Sequence, residues 1–307
     1  MASVLVQGAS RGLGLALVRA WLSEGATVLA TCRDPSRSTE LTELAASHAA
    51  LRVLRLDVED EASIVQAALE ARAHVDRLHT LINVAGLLHD GPLQPEKKLE
   101  QADPTALARL FAVNATGPLL VAKHFLPLLT HDERAVLANV SARVGSIADN
   151  HLGGWYGYRA SKAAQNMLTR TLAIELARRA PRLAVVALHP GTVDTELKGV
   201  HGAETRRRGA PPQVDGPHAG GMGRTRRCGA PKGSDSGGGP RRDSLPTGGG
   251  VGTTPPTKLS APCSRRVPSE KLFTPERAAR QLMSVIEGLT AERTGRFYAW
   301  DGSEIPW

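Results

Sequence analysis

Six short runs rich in Val, Leu and Ile mark the first 190 residues: SVLVQG from residue 3, TVLAT from 27, LRVLRLDV from 51, TLINVAG from 80, AVLANVS from 135 and LAVVALHP from 183. Between them lie stretches with helical character, at residues 12–24, 61–73, 104–129 and 157–179, with a further one at 275–289. Repeated strand–helix order over this length predicts a parallel sheet with helices on both faces. The expected fold class is α/β, a doubly wound, Rossmann-like single domain whose ligands bind beyond the carboxyl ends of the strands. FYAW at 297–300 is expected to add the last strand.

Residues 199–268 break the pattern. They hold 16 of the 31 glycines and 10 of the 20 prolines, and no Phe, Tyr or Trp. Such a composition buries too little surface to offset the entropy of ordering, so disorder is expected there. The expected organisation is a core over 1–198, a Gly/Pro/Arg-rich insertion over 199–268, and a helix and last strand of the same domain over 269–307. The insertion also carries the whole formal charge of +8, with 12 basic against 4 acidic residues; the remainder has 26 of each. Its Arg runs lack interleaved aromatics for base stacking, so a solvated segment is preferred to a nucleic-acid site.

Other classes are excluded by composition. LLVAKHFLPLL, the most apolar stretch, is interrupted by Lys123 and His124 and is short for a bilayer, so no membrane role is expected. No leader is visible at the N-terminus. The chain's 3 cysteines lack metal-site spacing, which points to a reducing, cytoplasmic setting without a metal centre.

The first run ends in GASRGLG, placing Gly8, Gly12 and Gly14 between a strand and a helix. That arrangement gives a tight turn, close backbone approach to a pyrophosphate, and a helix N-terminus aimed at it. The second run ends at Cys32-Arg33, without the carboxylate that a free ribose 2′-hydroxyl favours. Arg11 and Arg33 suit a 2′-phosphate, and NADP(H) is the expected cofactor. Asp34, one residue on, is a complication, and both arginines could be ordinary surface charges.

WYGYRASK at 155–162 adds an aromatic and a lysine near a helix start. With GASRGLG, LDV, NVAG, VNATGP and HPGTVDT in order, the chain resembles the short-chain dehydrogenase/reductase family. The resemblance covers residues 4–195 and resumes from 271, and its context is nearest to the carbonyl-reductase-like, sniffer and C-factor branch. The family's YxxxK pattern selects Tyr158 and Lys162. Tyr156 lies six residues from the lysine, off its helical face. The resemblance implies that Tyr158 protonates a carbonyl oxygen, Lys162 lowers the phenol's pKa and binds the nicotinamide ribose, and Asn114 holds a water beside Lys162. It implies cofactor contacts at Gly8, Ser10, Arg11, Gly12, Leu13, Gly14, Arg33, Asp57, Val58, Asn83, Ala85, Gly86, Tyr158, Lys162, Thr192, Val193 and Thr195. His189 is read as structural.

Three departures from the family stand out. Gln7 replaces the usual threonine before the first loop glycine. Ala142 occupies the position of the serine that would hydrogen-bond a substrate carbonyl, leaving Ser141 or Ser146 to substitute; Ser141 is taken as the catalytic candidate. The insertion falls where the family closes a lid. The expected function is NADPH-dependent reduction of a small ketone, aldehyde or quinone, in a homodimer or homotetramer. The alternative is an NADP-binding sensor or partner-binding protein with weak or no catalysis.

Overall fold

A computed structural model describes residues 2–194 and 272–307. Seven parallel strands run β1 (Ser3–Gln7), β2 (Thr27–Cys32), β3 (Leu51–Arg55), β4 (Thr80–Asn83), β5 (Ala135–Val140), β6 (Leu183–His189) and β7 (Phe297–Ala299), in the spatial order β3-β2-β1-β4-β5-β6-β7. All residues of β1 and β5 are buried, as expected for strands covered on both faces. The order reverses between β1 and β4, which opens a crevice beyond their carboxyl ends.

Helices α1 (Gly12–Ser23), α2 (Thr39–Ser47) and α7 (Pro275–Glu287) cover one face, through Leu15, Val18, Trp21, Leu41, Leu282 and Ile286. Helices α3 (Glu61–Arg72), α5 (Gly117–Leu129) and α6 (Tyr156–Arg179) cover the other, through Ile64, Val121, Phe125 and Leu176. The expected helix at 104–129 is interrupted. Helix α4 (Pro104–Phe111) passes through a π-turn at Ala112–Thr116 into α5. Pro118 has no N–H to return to the Asn114 carbonyl, so the i→i−4 ladder fails at that residue. By length and composition Pro104–Leu129 could cross a membrane, the one such helix among the described residues. Here Val121, Phe125, Leu128 and Leu129 are packed into the protein core instead.

Beyond β6 the chain pairs with residues far along the sequence. Phe273 N–H donates to the Thr192 carbonyl and Asp194 N–H to the Phe273 carbonyl, each at 2.8 Å, forming a parallel bridge between Val193 and Phe273. Thr195 and the 199–268 segment lie outside the described residues.

Candidate active site

The glycine loop is held by contacts that admit no side chain. Gly8 has φ +85°, and a Cβ there would sit 2.6 Å from Ala85 N. A Cβ on Gly14 would lie 2.1 Å from the Gly8 carbonyl oxygen, and Gly12 has φ +55°. The loop is also tied to the next strand, Ala9 N–H donating to Thr31 O at 2.8 Å. Gln7 bridges β1 to the loop after β4 by accepting the Ala85 N–H at 3.1 Å. The unusual residue therefore ties together two loops on one wall of the crevice. These features fit a dinucleotide pyrophosphate: Gly8, Ser10 and Gly12 are partly exposed beside the N-terminus of α1, and every glycine of the loop has a steric or torsional reason.

At the end of β2, Asp34 is already engaged. Its Oδ1 accepts from Ser36 N at 3.0 Å and Ser36 Oγ at 2.6 Å, capping the short turn Pro35–Arg37. These hydrogen bonds from Ser36 hold its carboxyl below the usual range. Arg11 and Arg33 are both exposed. Asp57 Oδ1 accepts from Glu59 N at 3.1 Å.

Several expected cofactor contacts face inward. Asn83 is 1% exposed, its Nδ2 donating to Asn139 Oδ1 at 2.8 Å. It braces β4 against β5 and offers no side chain to the crevice. Val58 packs against α5, where a Cβ on Gly117 would meet its own Cβ at 2.7 Å. Leu13 and Val193 likewise belong to the core. Ser10, Ala85, Gly86 and Thr192 remain partly exposed.

The N-terminus of α6 is built by a distant acid. Trp155 precedes the helix at φ 54°, the only non-glycine residue with positive φ among the described residues. The buried Glu96 receives the Gly157 N–H on its carboxylate, at 3.2 and 3.3 Å, and the Trp155 N–H on its carbonyl. A carboxylate at this end of the helix is favoured by the dipole. It fixes the chain one residue ahead of Tyr158, whose ring meets Trp155 edge-on at 6.3 Å.

Tyr158 and Lys162 follow four residues apart on one helical face. Burial pushes the Tyr158 phenol up to about 12 and the Lys162 ammonium down to about 7. Lys162 Nζ donates to Val140 O and Gln165 Oε1, each at 2.9 Å. Asn114 is fully buried. Its Oδ1 accepts from Leu87 N at 2.7 Å, and its Nδ2 donates to Leu87 O at 2.8 Å and Ser161 Oγ at 3.0 Å. Ser161 Oγ in turn donates to the Tyr158 carbonyl at 2.9 Å. Asn114 thus couples the loop after β4 to the tyrosine's own turn.

Both serine candidates are buried. Ser141 is 3% exposed and donates to Asn166 Oδ1 at 2.6 Å, on the inward side of the chain. Alternation along extended backbone turns Ala142, not Ser141, the other way. Ser146 is 1% exposed and accepts from Asp149 N at 3.2 Å. Neither hydroxyl opens onto the crevice. Motif reading missed Glu96 and Asn166, which lie 61 and 25 residues from the groups they hold, and also Ser161 and Gln165, whose i,i+3 spacing from Tyr158 and Lys162 was the available signal.

A switch-point crevice, a glycine loop closed to side chains, and a phenol and an ammonium one helical turn apart are features of oxidoreductases that work through a dinucleotide. The chain belongs to the short chain dehydrogenase family, whose model matches residues 2–205. It is 33% identical over 193 residues to an uncharacterized oxidoreductase of Schizosaccharomyces pombe, covering 62% of this chain and 74% of that one. It is 29% identical over 209 residues to the C-signal protein of Myxococcus xanthus, covering 68% and 83%. Among solved structures it is similar to the NADPH-bound carbonyl reductase from chicken fatty liver, at 26% identity and a TM-score of 0.70, covering 100% of this chain and 99% of that one.

Proposed function

We propose that this chain is an NADPH-dependent reductase of small carbonyl compounds. The observation that carries this reading is the Tyr158–Lys162 pair, held on one face of α6 by Glu96 and Asn114 beside a loop that only glycine can form. The NADPH of the chicken relative supports the cofactor, as do the prior engagement of Asp34 and the exposure of Arg33. Gly8, Gly12 and Gly14 would receive the pyrophosphate, and Arg11 and Arg33 the 2′-phosphate. A bound reduced nicotinamide supplies the hydride.

The chain's own residues supply the proton. Tyr158 gives its hydroxyl proton to the carbonyl oxygen as negative charge develops there. A phenol near 12 is a poor donor at neutral pH, and a charged Lys162 one turn away stabilises the phenolate it leaves. The decisive experiment is NADPH oxidation across a panel of ketones, aldehydes and quinones with Tyr158→Phe as control. Loss of about 10²–10⁴ in kcat with unchanged NADPH affinity is expected. Full turnover in that variant removes Tyr158 from the chemistry.

A second reading, an NADP-binding protein with little catalysis, draws on the inward positions of Ser141 and Ser146. Calorimetric NADPH binding without turnover on any carbonyl would select it.

A further inference from the structure

Lys162 has a partner that the proposed reaction does not use. Gln165 lies on the next turn of α6, is 1% exposed, and takes the lysine's Nζ on its Oε1 at 2.9 Å. Its Nε2 is buried without a hydrogen-bond partner. Leaving an amide donor unsatisfied is costly, and an unbranched apolar side chain of similar volume would fill the same space without that penalty. Packing alone therefore gives no reason for a glutamine.

An ammonium has three donors in tetrahedral arrangement. Val140 O and Gln165 Oε1 take two, which leaves one direction for the third. The position of Gly86 locates the ammonium: a Cβ there would lie 3.6 Å from Lys162 Nζ and 3.4 Å from Asn114 Oδ1. The lysine head therefore lies beside the loop after β4, on the wall of the crevice.

We propose that Gln165 is a positioning residue for Lys162, its Oε1 keeping the ammonium charged and turned toward the Gly86 side of the crevice. The proposal rests on the role given to Lys162 in the preceding subsection, and extends it to a residue outside the Tyr–Lys motif. An acceptor for the charged form opposes the burial that drives Lys162 downward. Burial drives that shift. Charged and titratable groups stand on the elements around this part of α6. They are Arg109 on α4, Lys123 and His124 on α5, Arg143 and Asp149 before α6, Glu96 at its start, His189 on β6, and Tyr158 and Arg159 on α6 itself.

The test compares the full chain with Gln165→Met and Gln165→Glu. Lysine Cε NMR reports the Lys162 titration in each, with the signal assigned by its loss in Lys162→Met. The expected shift is about one unit down in Gln165→Met and at least about one unit up in Gln165→Glu, with the pH–rate profile moving in the same direction. Titrations indistinguishable from the parent in folded variants would overturn the proposal, as would a moved titration with an unmoved rate profile in an active enzyme. If Gln165→Met fails to fold, the upward shift in Gln165→Glu decides alone. The NMR measurement needs no turnover, so an inert parent protein would remove the reductase reading while leaving the Gln165–Lys162 coupling to be judged separately.

Discussion

The two walls of the crevice are built to different tolerances. On the β1 side, backbone meets backbone: Gly8 abuts Ala85, Gly14 abuts the Gly8 carbonyl, and Gln7 ties the loops together. On the β5 side, side chains decide the shape: Ser141 and Ser146 are buried, and the partly exposed Ala142 offers only a methyl. Under the proposed function the first wall would hold the cofactor's pyrophosphate and the second would meet the substrate.

The contrast can be broken most severely on the rigid side. Gly14→Ala should cost about 3 kcal/mol of stability, because its new methyl collides with backbone rather than with a movable side chain. NADPH binding should disappear with it, and urea unfolding with calorimetry would check both. A folded, binding-competent Gly14→Ala would show the cradle to be looser than its distances require. On the permissive side the change should be a gain. Ala142→Ser should raise kcat by about 100-fold while leaving NADPH affinity untouched, since it adds one donor where charge develops. Steady-state kinetics on the best carbonyl substrate would measure it.

The effect smallest per step, spread over several pH units, concerns pH. Folded Lys162 titrates at about 7 and the unfolded lysine near 10.5, so between those values the unfolded chain binds more protons and stability rises with pH. Tyr158 works the other way: it titrates at about 12 when folded and near 10 when unfolded, so stability falls as pH rises past 10. Urea unfolding should show a slope of about 1 kcal/mol per pH unit above 7 and a maximum near pH 10. Lys162→Met should flatten the rising limb, and Tyr158→Phe the falling one.

Much of the fold was legible because parallel strands are buried on both sides and stand out as unbroken apolar runs. Helix α2 was not, since only Leu41 is buried in it and its polar faces carry no strong period. The π-turn was hidden because its cause, a proline at position 118, resembles any helix interruption. Within the site, legibility followed spacing along the chain. Tyr158 and Lys162 share a helical face and form a local motif. Glu96 lies 61 residues from Gly157, and Asn114 lies 47 from Ser161, so only the folded chain joins them. The serine question could not be decided from spacing, since Ser141, Ala142 and Ser146 sit within six residues and their directions depend on strand alternation and local turns.

The bridge between Val193 and Phe273 joins residues 80 apart in the sequence. Closing a loop costs entropy that grows only with the logarithm of its length, so a tenfold change in the number of residues alters the balance by only about 2 kcal/mol. On that arithmetic, the pairing that places β6 beside β7 and α7 would tolerate connections of very different length.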